Sequence, residues 1–554
     1  MASPLKNNQV GERLIELCEE LLAERRLIMI SNRGPVEYRV AKDDTLYLNR
    51  GSGGVVTALS AISRYVELTW IASAMGEGDR RVAAQHDGRF PVQLPGQKLY
   101  LRFVNSPRNV YHKYYNLFCN PLLWFLQHYM WNSPYTPNVD AKVYDAWENG
   151  YVTVNRTFAD AAIAEAAHDK NPPFVMIQDY QLYMVGGFIR PQIPQAILQH
   201  FIHIPWPSSS YWHLFPKPIR QAILESLCSV DIVGLQTKCD VHHFLHTCEV
   251  FLDQSKVDYE ENTVTVAGHQ VKVANYPVSI DVQSLMRLAR SNRVQEYEEK
   301  LRPQLGEQTI VRVDRAEPSK NIIRGLKAFD ALLERYPEYH GRLRLLSFLV
   351  PSRSGIKQYQ RYTQDIFDMV DAINEKYGSE EWRPIKLFFE NNYAQAIAGM
   401  KLCDVLLVNP VIDGQNLVAK EGPVVSARNC VLILSESAGA HEQLKEHVVS
   451  VAPADVEGTI RALREGLQMD PAERRRRAAA LKKVVETEDI TRWLYSQLHD
   501  LRQLATATSA TTCLRNRSTS PTPFRVKSAS AGTSGGVSSP KTPMHRPLNG
   551  KPLL

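Results

Sequence analysis

Arg315 and Lys320 close an apolar run, Thr309 to Val313, and stand just before a helical pattern carried by Ile322, Ile323, Leu326, Phe329 and Leu333. Two cations at a strand-to-helix turn lie beside the positive end of a helix dipole, which is a good place for an anion such as a phosphate. Ser319 stands where an N-cap is expected. Taken alone, the pair reads equally well as surface charge. A second turn of the same kind adds weight. Val405 to Val408 lead into Asp413-Gly414-Gln415-Asn416-Leu417-Val418-Ala419-Lys420-Glu421. Near the start of the chain, Gly51-Ser52-Gly53-Gly54 precedes an apolar run from Val55. Without Cβ atoms, such a loop lets backbone amides approach a phosphate, although a plain turn has the same composition.

These turns require strands and helices in alternation, and the chain supplies them. Leu27 to Ile30, Phe174 to Ile177, Phe201 to Trp206, Val230 to Leu235, Leu343 to Val350, Ile385 to Phe389 and Val431 to Leu434 are buried-strand patterns. Helical patterns run from Asn321 to Tyr336 and from Thr487 to Leu501. The expected class is α/β, and the family resemblance given below implies two Rossmann-like domains facing across a cleft, with the hinge between them near 277–281. That places a helical extension over 1–26, a first domain over 27–280 and a second over 281–485. A returning helix follows over 486–504, then a basic Ser/Thr/Pro-rich tail over 505–554, which is too poor in large apolar residues to fold alone.

Length and charge exclude some classes. A chain of 554 residues with 44% hydrophobic residues is long enough for two cores and too long for one ordinary domain. Its net charge of +6 is unevenly placed, since Thr506 to Leu554 hold seven Lys and Arg and no acid; 6 − 7 leaves the body at −1. The body therefore lacks the basic footprint of a nucleic-acid-binding protein. Eight cysteines without a C-x-x-C pair fit reduced thiols in a cytoplasmic protein. No apolar run reaches the roughly 18 residues of a membrane span. Leu14, Ile15, Cys18, Leu21 and Leu22 among acids form an amphipathic helix, not a signal core. His242, His243 and His246 have helical spacing, but no carboxylate or cysteine cluster joins them, and a packed or solvated helix face is expected there.

R-x-x-x-x-K followed by D-G-x-N-L-V-A-K-E resembles the nucleotide-sugar half of the trehalose-6-phosphate synthases, which are retaining glycosyltransferases of family 20 with the GT-B fold. The resemblance runs from about Leu27 to Leu501. It implies that Arg315 and Lys320 neutralise a leaving diphosphate, that Asp413 orients the donor sugar, and that Glu421 takes the ribose hydroxyls. Gly53 and Gly54 resemble a loop over the donor phosphates, and Gly414, Asn416, Leu417 and Val418 the neighbouring donor contacts. His203, in H-I-P-W-P, resembles a histidine facing the donor sugar. On the acceptor side, Arg33, Tyr115, Trp124, Asp179 and Arg353 match residues around a phosphorylated sugar. The family implies a nucleoside diphosphate glucose and glucose 6-phosphate as substrates, with no cofactor, metal, nucleic acid or membrane partner. A homo-oligomer stays open, as does the donor base among UDP, GDP and ADP.

The chain also departs from the pattern. Gln178-Asp179-Tyr180-Gln181-Leu182 stands where the family usually has H-D-Y-H-L, and Ala72-Ser73 where it has a G-W pair. Glutamine keeps a neutral donor and acceptor but removes a titratable group, so Gln178 does no acid–base work. These changes also resemble the family's aminocyclitol-coupling relatives. Besides glucose 6-phosphate, another phosphorylated acceptor (a glycerol or cyclitol phosphate) therefore stays open, as does a catalytically weak sugar-nucleotide-binding regulator.

Overall fold

The computed structural model describes residues 7–23, 25–50, 63, 67–86, 88–94, 98–131, 138–167, 169–353 and 355–518. Gly53 and Gly54, named above as a phosphate loop, lie outside the described residues, as does the tail beyond Ser518.

Met1–Ala505 form one unit, built on two sheets. In the first, Leu27–Ser31 lies between Leu68–Ser73 and Phe174–Gln178. Leu99–Val104 extends it on one side; Ile197–Phe201, Ile232–Leu235 and His269–Asn275 extend it on the other, all parallel. Antiparallel strands finish both edges, Phe90–Val92 at one and Thr263–Val266 with Lys256–Asp258 at the other. The second sheet is wholly parallel, in the order Ile385–Phe389, Leu343–Val350, Gln308–Arg315, Val405–Val408, Val431–Ser435, Val449–Val451.

Parallel strands read as near-continuous apolar runs because helices cover both faces. Along the first strand, Ile28 and Ile30 enter one core while Leu27 and Met29 enter the other. Ile310 and Val311 divide in the same way between the two cores of the second sheet. The last helix, Ile490–Ser518, brings Ile490, Trp493, Leu494, Leu498 and Leu501 into one core of the first sheet, where Leu14, Leu17, Cys18 and Leu21 of helix Asn7–Leu22 join them. Gln199 donates to Gln497 at 2.9 Å, and Lys272 pairs with Asp500 at 2.7 Å, fixing that helix to the sheet. Thr506–Leu554 form a second unit, described only through the end of this helix at Ser518.

Both sheets have a topological switch point, a place where successive connections leave to opposite sides and open a crevice at the strand carboxyl ends. In the first sheet it lies between Leu27–Ser31 and Phe174–Gln178; in the second, between Gln308–Arg315 and Val405–Val408. The strands that carry Asp179, Arg315 and the Asp413 turn are the ones beside these crevices.

Two local expectations change. Ser319 is not the N-cap: it lies in a tight turn, Pro318–Lys320, and Asn321 begins the helix with a left-handed φ of 58°. Asparagine tolerates that region better than most residues. The aromatic stretch from His112 forms unusually wide helical turns, π-helical over Lys113–Trp124, packed on a second such segment at Trp147–Val152. It buries Tyr114, Phe118, Leu123 and Trp124. No helix among the described residues is long and apolar enough to cross a membrane.

Candidate active site

The second sheet supplies the cations. Arg315 ends its strand and remains half exposed, while Lys320 closes the following turn and pairs with the Asp413 carboxylate. Asp413 is held in turn by Asn416, whose Nδ2 donates to Oδ2 at 3.1 Å. Asn416 has a left-handed φ of 66° and precedes helix Val418–Val425, so Leu417 and Val418 offer their amides at a helix start. Glu421 lies on that helix and accepts from the Tyr393 hydroxyl at 2.8 Å. Burial raises its pKa, and the Tyr393 hydrogen bond opposes the rise. Tyr393 also lines a small cavity of about 60 Å³ with Val313, Phe348, Phe388 and Asn391.

The first sheet supplies hydrogen-bonding groups. Asp179 follows its strand in a strained backbone conformation, φ 73°, a feature that clusters at functional sites. Its Oδ1 accepts from the His203 amide at 3.1 Å. Burial pushes the Asp179 carboxyl up to about 6, against two backbone hydrogen bonds and the charges of Arg353 and Arg315. The His203 ring bonds through Nε2 to Gln178 Oε1 at 2.9 Å. Burial, with a smaller push from His200, lowers its pKa to about 3, so the ring is neutral at ordinary pH. Gln178 is thus a hydrogen-bonding neighbour of His203. Ser73 donates to Asn32 at 3.1 Å, and Tyr111 and Tyr114 meet the same asparagine. Arg33 is exposed in the adjoining loop, and its charge reaches Tyr111. Tyr115 stacks on Tyr111 at 5.6 Å.

The two halves touch through a close backbone approach and through the side chains of Gln415, Lys420 and Arg353. A Cβ on Gly414 would lie 2.2 Å from the His203 carbonyl oxygen, so only glycine permits this approach. Gln415 donates across to the Gln236 carbonyl at 3.0 Å, and Lys420 to the Val278 carbonyl at 2.7 Å. Arg353 leaves the second sheet and reaches Asn120 of the first at 2.8 Å. Its guanidinium lies 4.9 Å over the Trp124 ring. Trp124 is itself buried beneath it, stacked on His128 at 4.0 Å. In this arrangement Trp124 therefore meets the cleft through Arg353 and not directly.

Arg315, Lys320, Asp413, Gly414, Asp179, His203 and Arg353 gather around the two switch points. Three further participants are not among the residues expected at the site. Glu317 is a buried carboxylate between Arg315 and Arg353. His128 feels the charges of Asp413, Glu317 and Lys320, although burial dominates and lowers its pKa to about 4. Asn120 receives Arg353. All three depend on contacts between distant segments. Among the described residues no group of three His, Cys, Asp or Glu side chains is placed to hold a metal, and His242, His243 and His246 lie along helix Lys238–Phe251. The chemistry available is anion neutralisation beside a set of sugar-directed hydrogen-bond groups.

Comparison with known proteins fits this arrangement. The model of glycosyltransferase family 20 matches residues 25–503. A UDP-forming alpha,alpha-trehalose-phosphate synthase A from Dictyostelium discoideum is 29% identical over 87% of this chain, which spans 63% of that relative's length. A validamine 7-phosphate valienyltransferase from Streptomyces hygroscopicus subsp. jinggangensis is 28% identical over 83% of this chain and 90% of its own. A solved E. coli structure, described as trehalose-6-phosphate bound with UDP-2-fluoro glucose, superposes with a TM-score of 0.74 at 25% identity. It covers 86% of this chain and 99% of its own.

Proposed function

The chain belongs to glycosyltransferase family 20, and from that membership and the cleft geometry we propose that it transfers glucose from a nucleoside diphosphate glucose to glucose 6-phosphate, giving α,α-trehalose 6-phosphate. The observation that carries this reading is the arrangement around the cleft. Arg315, Lys320 and the Asp413 turn stand on one side, Asp179 and the His203 loop on the other, with Arg353 reaching between them.

In this reading the diphosphate lies against Arg315 and Lys320, whose charges stabilise the negative charge that grows as the anomeric C–O bond breaks. Asp413 orients the glucosyl hydroxyls, with the Leu417 and Val418 amides beside it. Tyr393 and Glu421 hold the ribose, and the small cavity takes the base. We take UDP as the donor, since the Dictyostelium relative is UDP-forming. Arg33 and Arg353 take the acceptor phosphate, with Tyr115 beside it, and Asp179 accepts from the acceptor hydroxyls. The acceptor anomeric hydroxyl attacks the donor anomeric carbon on the face that the diphosphate leaves. Its proton passes to the departing phosphate oxygen, and configuration is retained without a protein nucleophile.

A second acceptor class has specific support. Gln178 and Ser73 lie in the acceptor half, bonded to His203 and Asn32, and the Streptomyces relative acts on a cyclitol phosphate. Initial rates with UDP-, GDP- and ADP-glucose, each against glucose 6-phosphate, glycerol 3-phosphate and a cyclitol phosphate, separate the readings. Fastest turnover with UDP-glucose and glucose 6-phosphate is expected. Turnover confined to the cyclitol phosphate replaces the acceptor, and binding without turnover throughout makes the chain a regulator.

A further inference from the structure

Glu317 lies two residues beyond Arg315, and its side chain has no exposed surface. One of its oxygens, Oε1, accepts hydrogen bonds from Arg353 and from the Ser352 hydroxyl, each at 2.6 Å, and forms an ion pair with Arg315 at 2.9 Å. The other, Oε2, is buried without a hydrogen-bond partner. Burial alone would raise this carboxyl, but Arg315, Arg353 and Lys320 overcome it and hold the pKa at about 2. It is therefore an anion at any working pH, and its charge is shared between two arginines from two different segments.

The two arginines differ in freedom. The Arg315 side chain is 52% exposed and, among the described residues, pairs with Glu317 alone, whereas Arg353 is 10% exposed and also pinned by Asn120 at 2.8 Å and Tyr359 at 3.0 Å. Two cations therefore share the charge of one carboxylate oxygen. When Arg315 turns toward an incoming diphosphate, Glu317 loses its more exposed cation, and its hold on Arg353 strengthens. Arg353 is then fixed more firmly over Trp124, facing the acceptor.

We propose that Glu317 is a positioning residue that couples the two phosphate subsites, so that a diphosphate on Arg315 prepares Arg353 for the acceptor phosphate. This rests on the donor and acceptor roles proposed above. Coupling through a shared group is reciprocal, so the acceptor must tighten the donor by the same factor.

The test is the Kd of glucose 6-phosphate for the full chain, by calorimetry, with and without saturating UDP. In the unchanged chain UDP is expected to tighten the acceptor about five- to ten-fold. Glu317→Gln keeps an acceptor oxygen but removes the charge, and the ratio should fall to about one while both ligands still bind. Should that variant fail to fold, Glu317→Asp keeps the charge and withdraws it by one methylene, so that it no longer spans both arginines; the ratio should fall likewise. A ratio of one in the unchanged chain, or an undiminished ratio in folded Glu317→Gln or Glu317→Asp, overturns the coupling while leaving the substrate assignment intact. No binding of either ligand to the unchanged chain overturns the assignment and the coupling together.

Discussion

Lys320→Met removes one of the two cations assigned to the leaving diphosphate while keeping most of the side chain's bulk. The Lys320 side chain is 10% exposed and pairs with Asp413, itself 16% exposed, so the ammonium works in a partly dry site. A unit-charge pair about 4 Å apart at an effective dielectric near 20 is worth about 4 kcal/mol. Arg315 remains and covers part of that loss. Removal of a single preorganised donor to a developing anion costs roughly 10²–10³ in rate, about 3–4 kcal/mol, and this is the expected fall in kcat. Asp413 keeps its hydrogen bond from Asn416 but loses its cation, at a cost to stability of about 1–3 kcal/mol. The assay is nucleoside diphosphate release under saturating substrates, with circular dichroism and a thermal melt on the same preparation. A folded variant whose kcat stays within about ten-fold of the unchanged chain would refute the role given to Lys320.

Asp179, with its pKa raised to about 6, must be ionised to accept acceptor hydroxyls, so kcat/KM for the acceptor should rise with pH up to about 6 and then level. Sugar phosphates also titrate near 6, so the slope is compared with Asp179→Asn, which should be slower and lose this component. The native state binds the Asp179 proton more tightly than the unfolded chain, so this group's contribution to stability is present below about pH 4 and lost as pH rises toward 6. Asp179→Asn should lack that decline in chemical denaturation at pH 4 and pH 7, and an identical decline in both proteins contradicts the assignment. Gly414→Ala places a methyl 2.2 Å from the His203 carbonyl, so a backbone shift, a stability loss of about 1–3 kcal/mol and weaker donor binding are expected; unchanged melting and turnover would contradict the close approach.

The strands were the most legible part of the fold. Val405–Val408, Leu343–Val350 and Ile385–Phe389 have the bounds that their apolar runs suggest: the first is apolar throughout, and only Arg344, Ser347 and Lys386 interrupt the other two, because parallel strands packed under helices favour apolar residues. The grouping of Arg315, Lys320 and Asp413 was legible because each stands at a short strand-to-helix turn, and Glu421 followed on the helix after the second turn. Glu317, Asn120 and His128 were not legible. Arg353 lies 233 residues from Asn120, and nothing in either local sequence reports that they meet. The cap at Asn321 was misread as Ser319 because a left-handed asparagine start carries no hydrophobic pattern. The burial of Trp124 beneath Arg353 was hidden for another reason: the wide helical turns of Lys113–Trp124 shift side chains away from the faces that ordinary helical spacing assigns.

The central claim is tested most directly by the structure of the product. The full chain would be incubated with UDP-glucose and glucose 6-phosphate, and the phosphorylated product analysed by mass and by the proton and carbon NMR of both anomeric centres. The account predicts a disaccharide phosphate joined 1,1 with both centres α. A β centre, a linkage to another hydroxyl, or release of free glucose in place of a disaccharide would contradict it.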